Sequence, residues 1–521
     1  MPGEEALADR KREGGRPQGR IRPYISSGMA AASKHFAAAQ RVPAMRGFSA
    51  FMSEKRWFFI SLFAGFLILQ LPTPEGLSRE GFIVLTMSLV AIVLFIAEPI
   101  PLPAVALLIV IGQVLLLGID SDVVARSLMS DSVLFILGSL MLAVAVVKQK
   151  LDKRIAFLIV RMTGTQTAYI AAGISFVSGL LASVIGEHTV AAMMLPVAIT
   201  LITLTSDDPR QVRKLAAVLL FSISYGCSIA GIGTPSGGAR NAIMIGYWKE
   251  FFFDPTNPET RKFIVSYVDW IVHCYPVFLM QLPFVVLILL WTFRPEHKNM
   301  ARAVAKLRQQ IRSAGPMKSS DFVAIGVFFC VLLGWIGFSD TLGLGTVAII
   351  GAVAFLVIGL VRWEDINSGV NWGVVLLYAA AISLGIQMKE TGAALWVANS
   401  FLSLIAPLGM DSGPPLWAAV SALTTAVTNT MSNGAAVAVL GPITLKLAAA
   451  AGESPLLIGY VTAISSAFAY LTVIGTPACT IVYSSGYLKT TDFLKVGYRM
   501  VIMSMVCLMF AAAFYWPLVG L

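Results

Sequence analysis

The sequence predicts an all-α polytopic membrane protein, and its composition, the spacing of its apolar runs and an internal repeat support that fold class. Of 521 residues, 57% are hydrophobic and only 13% are charged, whereas about a quarter are charged in a typical soluble domain. The apolar runs are long enough to cross roughly 30 Å of hydrocarbon as helices. They do not alternate as barrel strands do. Helices are therefore expected, because they satisfy their own backbone hydrogen bonds in lipid.

The formal net charge of +10 comes largely from lysines and arginines between apolar runs, which is typical of cytoplasmic loops rather than of nucleic-acid binding. Residues 1–50 are rich in arginine, glycine, alanine and serine, which predicts a disordered, basic cytoplasmic tail. The basic segment 294–320 predicts a cytoplasmic linker. It separates a first repeat half, 51–293, from a second, 321–521.

Hydropathy and the distribution of Lys and Arg predict about eleven spanning helices and two re-entrant hairpins. The spans lie at 57–71, 81–97, 102–118, 132–147, 215–247, 265–293, 322–338, 343–361, 372–388, 456–487 and 496–519. The hairpins lie at 168–205 and about 393–450. Basic residues flank the first hairpin on both sides, so it is expected to return to the face it left. The protein is therefore expected in the inner membrane, with its N-terminus in the cytoplasm and its C-terminus outside. The two halves then have inverted topology.

The two halves repeat two polar patterns inside apolar segments. The hairpin tips match as Ser183-x-x-x-Glu187-His188-Thr189 and Thr428-x-x-x-Ser432-Asn433-Gly434, and two broken spans match as Ile232-Gly233-Thr234-Pro235 and Ile474-Gly475-Thr476-Pro477. A single Gly/Pro kink in a membrane helix is usually structural. Matched breaks in inverted halves instead indicate the central binding site of a transporter.

A helix broken inside the membrane exposes N–H groups at one end and carbonyl groups at the other. The N–H ends favour an anionic substrate. The carbonyl ends, together with Ser, Thr and Asn oxygens, suit Na⁺. The sequence therefore predicts a site for an anion and a coupling cation, with no other cofactor.

These residues resemble the divalent anion/sodium symporter family, the dicarboxylate and citrate carriers of the ion transporter superfamily. The resemblance rests on the turn Glu98–Pro103, on Thr189–Pro196, on Ser432-Asn433-Gly434, on Gly475-Thr476-Pro477 and on Ser485–Phe493. It implies an elevator-type homodimer. It also implies that Thr189, Ser432, Asn433, Thr476 and Pro477 contact substrate. One cation site would use Ser183, Glu187, His188 and the backbone near Gly237, and the other Thr428, Asn433 and the backbone near Gly475.

The alignment of the first broken span has two solutions. The direct repeat aligns Gly233-Thr234-Pro235 with Gly475-Thr476-Pro477. The family pattern Gly-Thr-Pro-Pro-Asn instead falls on residues 237–241. We favour the second, because Asn241 then takes the position of the asparagine in the pattern.

The chain departs from the family most strongly in its first signature, where Glu187-His188 stands for Ser-Asn. Arg240, Gly434 and Cys479 also replace the expected proline, threonine and asparagine. Three hypotheses follow: Glu187 is a cation ligand, Glu187 and His188 titrate so that H⁺ replaces a sodium ion, or Glu187 pairs with Arg240. Arg240 would also attract the substrate anion.

The sequence predicts a secondary active transporter of small dianions, above all C4-dicarboxylates, by Na⁺ or H⁺ symport with an elevator mechanism. The alternatives are a sulfate or other oxyanion symporter of the same fold and a cation/proton antiporter. The sequence lacks the protease and zinc motifs of membrane enzymes and the P-loop of ATP-driven pumps, so an enzyme is not expected. Hairpin tips entering from opposite faces also make a poor continuous pore.

Overall fold

The described part of the chain is helical over most of its length. The computed structural model describes residues 55–149, 163–206, 208, 210–312 and 318–521, so the predicted tail 1–50 lies outside the described residues. The first helices are α1 Arg56–Leu69, α2 Arg79–Ala97, α3 Leu102–Leu117, α4 Ser121–Ser127 and α5 Asp131–Lys148. The proline-rich turn joins α2 to α3. Glu98 closes α2 at a φ of 42°, and Pro103 lies in the first turn of α3, where its missing N–H costs no helical bond.

The first helix pair consists of α6 Thr167–Ile185 and α7 Glu187–Thr205. The two helices meet at Gly186, whose φ of 90° lies in the region that favours glycine. Next come α8 Arg213–Ala230, a 3₁₀ turn at Pro235–Gly237, and α9 Ala239–Phe252. We call residues 231–238, which interrupt the helix between α8 and α9, the first break.

The middle of the chain contains α10 Tyr267–Phe293, α11 Ala301–Arg312, α12 Ser319–Leu342, α13 Leu344–Val357, α14 Trp363–Gly369, α15 Trp372–Glu390 and α16 Ala393–Ile405. Helix α10 begins with a capping box, in which Ser266 and Asp269 each accept from the backbone N–H of the other. Helix α11 lies within the predicted linker 294–320, so that segment includes a helix.

The second helix pair consists of α17 Gly413–Thr428 and α18 Asn433–Ala450, joined by residues 429–432. Helix α19 Pro455–Ser465 leads into a non-helical stretch, residues 466–476, which we call the second break. Helix α20 Pro477–Tyr483 follows it. The chain continues as α21 Thr490–Phe510, a π-helical turn Ala511–Tyr515 and a 3₁₀ turn Trp516–Val519.

Ten helical segments of the described chain are long and apolar enough to cross a membrane. They are α2, α5, α6, α7, α8, α10, α12, α15, α18 and α21 with the turns that follow it. Shorter apolar helices, including α1, α3 and α13, add to them. The predicted all-α polytopic class is confirmed.

Helix α8 forms the centre of the compact unit Trp57–Leu521. Every residue from Leu215 to Ala230 is buried. Small side chains permit this packing: a Cβ atom added at Gly226 would lie 2.7 Å from the Ser175 carbonyl oxygen of α6. Close backbone approach at small residues is characteristic of membrane helices. Since α8 is central, the first break at its end lies in the protein interior.

Candidate functional site

Three polar side chains from different helices meet in the interior. Glu187 is the first residue of α7, Arg240 the second residue of α9 and Asn433 the first residue of α18. Arg240 Nη1 donates to Glu187 Oε1 at 3.1 Å, and Asn433 Nδ2 donates to the same oxygen at 3.2 Å. Glu187 is 7% exposed and Arg240 is 1% exposed, and charges this deeply buried need partners. The contact joins both helix pairs to the first break.

The guanidinium group of Arg240 lies against two glycines. A Cβ atom added at Gly238 would lie 2.9 Å from Nη1, and one added at Gly231 would lie 2.6 Å from Nη2. Larger residues at these positions would therefore displace the guanidinium. Arg240 Nε and Nη2 and Glu187 Oε2 have no hydrogen-bond partner among the described residues. The ion pair thus leaves hydrogen-bonding capacity unfilled beside the first break.

The first break is held together by its own polar residues. The Thr234 hydroxyl donates to the Ser183 carbonyl and accepts from the Gly237 N–H at 3.2 Å. The Asn241 amide donates to the carbonyls of Gly231 and Thr234 at 2.8 and 2.7 Å. These bonds fix the backbone that follows α8, and Asn241 supplies the donor to the Gly231 carbonyl, which lies just beyond the end of that helix.

Replacing Asn241 with alanine is expected to lower both thermal stability and transport. The buried Gly231 carbonyl would lose its donor, at a cost of about 1–3 kcal/mol, while the Thr234 carbonyl would keep its bond from the Gly237 N–H at 3.1 Å. Melting of the purified protein, followed by tryptophan fluorescence, measures the loss. Asn399→Ala is the matched control, because Asn399 is exposed on α16. Equal shifts in the two variants would contradict this role of Asn241.

Two neighbouring residues at the end of α17 organise the second break. Thr428 Oγ1 donates to the Ser466 carbonyl at 2.6 Å and lies 3.1 Å from Asn433 Oδ1. Asn429 Nδ2 donates to the Phe468 carbonyl at 3.1 Å. Asn429 Oδ1 also accepts, at 2.9 Å, from the backbone N–H of the residue three positions after Phe468. The two side chains therefore fix the course of the non-helical backbone.

The two threonine-proline steps share one local geometry. Thr234 accepts from the Gly237 N–H, three residues later, and Thr476 accepts from the Cys479 N–H, also three residues later, at 3.1 Å. A proline follows each threonine at the start of a helical turn. The direct repeat alignment, which pairs these two Thr-Pro steps, therefore pairs turns of the same geometry. Asn241, the basis of the other alignment, acts instead on the carbonyls of the first break.

A cavity of about 240 Å³, here the central cavity, lies where these helix ends meet. The N-terminal ends of α7, α9 and α18 line it, together with Tyr378 of α15. The predicted site residues that line it are Glu187, His188, Gly237, Arg240, Ser432, Asn433 and Pro477. Its volume lies below the range of about 300–1,000 Å³ that is typical for drug-sized ligands. The cavity therefore suits a small solute.

Other predicted site residues lie behind this cavity. Ser183 is fully buried, and its hydroxyl donates to the Leu180 carbonyl at 2.8 Å. Thr428 and Thr476 are also buried, at the second break. Gly475 packs there as well: a Cβ atom added to it would lie 2.8 Å from the Ala469 carbonyl oxygen. These residues shape the breaks without lining the central cavity.

A larger cavity of about 600 Å³, here the outer cavity, adjoins the central one. The two share Leu140, His188 and Asn371 as lining residues, and Thr189 lines the outer cavity alone. The outer cavity also reaches the ion pair between Lys148 and Asp365. These two side chains are 53% and 22% exposed, so the outer cavity connects the central one to the protein surface.

The chain matches a known family of membrane transporters over most of its length. The family described as "Sodium:sulfate symporter transmembrane region" matches residues 53–521. The chain belongs to the divalent anion/sodium symporter family. It is therefore a multi-pass membrane transporter and not an enzyme, which confirms both sequence predictions.

Relatives of this chain align over most of their length. The sodium-dependent high-affinity dicarboxylate transporter 3 of Caenorhabditis elegans is 28% identical over 453 residues, 78% of each chain. The sodium-dependent dicarboxylate transporter SdcS of Staphylococcus saprophyticus is 24% identical over 487 residues, 87% of this chain and 89% of its own.

Two solved structures share the fold of this chain at low sequence identity. The Neisseria gonorrhoeae protein MtrF has a TM-score of 0.53 and 10% identity, over 91% of this chain and 96% of its own. The Alcanivorax borkumensis transporter YdaH has a TM-score of 0.51 and 14% identity, over 75% of this chain and 86% of its own. They support the architecture alone.

One departure of this chain from the family pattern has a packing explanation. Gly434 stands where the pattern has threonine, and the Tyr378 ring lies directly against it. A Cβ atom added at Gly434 would lie 2.4 Å from Cε1 and 2.6 Å from the hydroxyl oxygen of Tyr378.

Sequence reasoning missed Tyr378 and Asn429. The only signal was a hydroxyl or amide group inside an otherwise apolar segment.

Proposed function

We propose that the chain is a secondary active symporter that moves small dicarboxylate anions, above all C4-dicarboxylates, together with Na⁺. The convergence of three helix N-termini, those of α7, α9 and α18, on the central cavity carries this proposal. Each end presents unpaired N–H groups and the positive end of a helix dipole. Arg240 also lines the cavity, and Glu187 at the start of α7 balances its charge. The N-terminal ends of α9 and α18 therefore favour an anion in the cavity.

The second break supplies oxygen atoms suited to the coupling sodium ion. Thr428 Oγ1 lies within 3.1 Å of Asn433 Oδ1 and 2.6 Å of the Ser466 carbonyl oxygen, and hard cations prefer such ligands. The names of the worm and staphylococcal relatives, both sodium-dependent, support Na⁺ over H⁺. The engagement of Glu187 by Arg240 and Asn433 points the same way, because it occupies the group that would carry a proton.

Dicarboxylate is the preferred substrate because both of these relatives are named for it. Sulfate or another oxyanion is the second candidate, since the matched family is named for sulfate. Both candidates are small dianions that suit a cavity of about 240 Å³. The ion pair at Glu187 removes the main argument for a cation/proton antiporter, which needs that carboxylate free.

We also propose that transport uses an elevator movement in a homodimer, as the family resemblance implies. The positive-inside rule places Lys148 in the cytoplasm of the cell, with the N-terminus on that side of the inner membrane. The outer cavity reaches Lys148. In this conformation, therefore, the central cavity opens toward the cytoplasm.

Uptake of radiolabelled succinate and sulfate into proteoliposomes tests the proposal, with Na⁺ and pH gradients imposed separately. We expect saturable succinate uptake that follows the Na⁺ gradient and does not respond to a pH gradient alone. Uptake that ignores the Na⁺ gradient would refute sodium symport, and a nonsaturating current would indicate a channel. Sodium-driven sulfate uptake in the absence of succinate uptake would replace the substrate by the second candidate.

A further inference from the structure

The two breaks are built alike, but the first contains a cation of the protein itself. Each has a Thr-Pro step at which the threonine caps the following turn. Each also receives a buried amide, Asn241 in the first and Asn429 in the second. Arg240 extends its guanidinium into the first break. The guanidinium bonds to Glu187, and among the described residues no lysine or arginine side chain hydrogen-bonds to a carbonyl of either break.

The guanidinium lies beside Gly231, at the C-terminal end of α8. The Cβ position of Gly231 is 2.6 Å from Arg240 Nη2, 3.2 Å from the Gly237 carbonyl oxygen and 3.4 Å from the Cys227 carbonyl oxygen. The cation and both carbonyls therefore surround one small space at the C-terminal end of α8. The negative end of a helix dipole favours a positive charge there. Glu187 completes the surroundings with a carboxylate 3.1 Å from Nη1.

We propose that Arg240 is a permanent cation that takes the place of a mobile sodium ion at the first break. The inference rests on the proposed function, since it concerns the sodium coupling of that symport. The cation site predicted from Ser183, Glu187, His188 and Gly237 then binds no sodium. One sodium ion binds per chain, at the second break.

Neutralisation of Glu187 explains why the first break binds no sodium. The Glu187 carboxylate would be the strongest oxygen ligand for a cation there, but Arg240 already balances its charge at 3.1 Å. The buried ion pair therefore leaves no negative charge to offset the dehydration of a sodium ion, and the guanidinium occupies the space beside the carboxylate. Ser183 is a poor sodium ligand here, because its hydroxyl donates to the Leu180 carbonyl and its own carbonyl already accepts from Thr234.

Equilibrium binding of ²²Na⁺ to the purified full-length protein tests the inference without requiring transport. The natural protein is expected to bind one sodium ion per chain, and Thr428→Val is expected to abolish this binding. The double variant Glu187→Ser/Arg240→Ala removes both buried charges together and is expected to bind two. Lys148→Ala/Asp365→Ala, which removes a different ion pair, is the matched control and should still bind one.

The possible outcomes separate this inference from the proposed function. Two or more sodium ions bound to the natural protein would overturn the inference and leave sodium symport intact. No bound sodium would overturn both. A double variant that is folded, by its melting curve, and still binds one ion would also overturn the inference.

A flux measurement on the natural protein decides the question even where the double variant does not fold. In proteoliposomes held at zero membrane potential, a tenfold Na⁺ gradient should support roughly tenfold succinate accumulation for one coupled ion and roughly a hundredfold for two. Accumulation near a hundredfold would contradict the proposal that Arg240 takes the place of one sodium ion. Accumulation that does not depend on the Na⁺ gradient would instead reject the proposed function.

Discussion

Glu187→Gln and Arg240→Gln are each expected to destabilise the protein by about 3–5 kcal/mol, whereas the double variant should recover much of that loss. Each single change leaves one buried charge without its partner, and both side chains are at least nine-tenths buried. Removing both charges removes the desolvation cost together with the attraction. The singles should also lose most sodium-driven uptake, because both side chains line the central cavity.

A double-mutant cycle measures this coupling. Melting of the natural protein, the two single variants and the double variant in detergent gives an interaction free energy. Lys148→Gln, Asp365→Asn and their double variant form the matched control, because that ion pair is exposed and such pairs add little stability. Additive losses at Glu187 and Arg240 would show that the two charges do not stabilise each other.

The fold could be predicted from sequence because its main signals are local. Apolar runs near membrane thickness predict spanning helices, and the structure places α2 at Arg79–Ala97 where hydropathy indicates 81–97. The interruptions of those runs by Gly, Pro and polar residues likewise marked both breaks. Short helices such as α4 and α14, seven residues each, gave no comparable signal, because their hydrophobic pattern is too short to read.

The contact between Glu187 and Arg240 was accessible to sequence reasoning because isolated buried charges are so costly that each needs a partner. The bond from Asn433 to Glu187 was not, since it joins residues 246 positions apart and a neutral amide has many possible partners. Asn429 was missed for the same reason. Its bonds to the second break depend on tertiary arrangement, which neither residue type nor spacing reveals.

The substitution of Gly434 illustrates a different limit. Compared with the family pattern, this glycine reads as the loss of a threonine hydroxyl from the second signature. In the structure it makes room for the aromatic ring of Tyr378, a residue 56 positions earlier that also lines the central cavity. The glycine and the tyrosine thus fit each other sterically, and only the packing connects the two.

Gly434→Thr, although it restores the family residue, is expected to lower sodium-driven uptake at least tenfold. The new Cβ atom would lie 2.4–2.6 Å from three atoms of the Tyr378 side chain, far inside normal van der Waals contact. Either the ring or the start of α18 must move, and overpacking of this kind costs about 1–3 kcal/mol. Because Asn433 is adjacent and bonds to Glu187, movement of α18 would also disturb the ion pair.

Rescue by a second substitution distinguishes this clash from a simple requirement for glycine. Gly434→Thr/Tyr378→Ala removes the obstructing ring and is expected to recover a large part of the uptake lost in Gly434→Thr. Tyr378→Ala alone is the matched control, and succinate uptake and the melting curve are compared for all three variants. If the double variant is no more active than Gly434→Thr, backbone conformation rather than the ring demands glycine. However, Gly434 is helical and has no positive φ, so its backbone alone accommodates any residue that α-helices accept, and the Tyr378 ring is the obstacle.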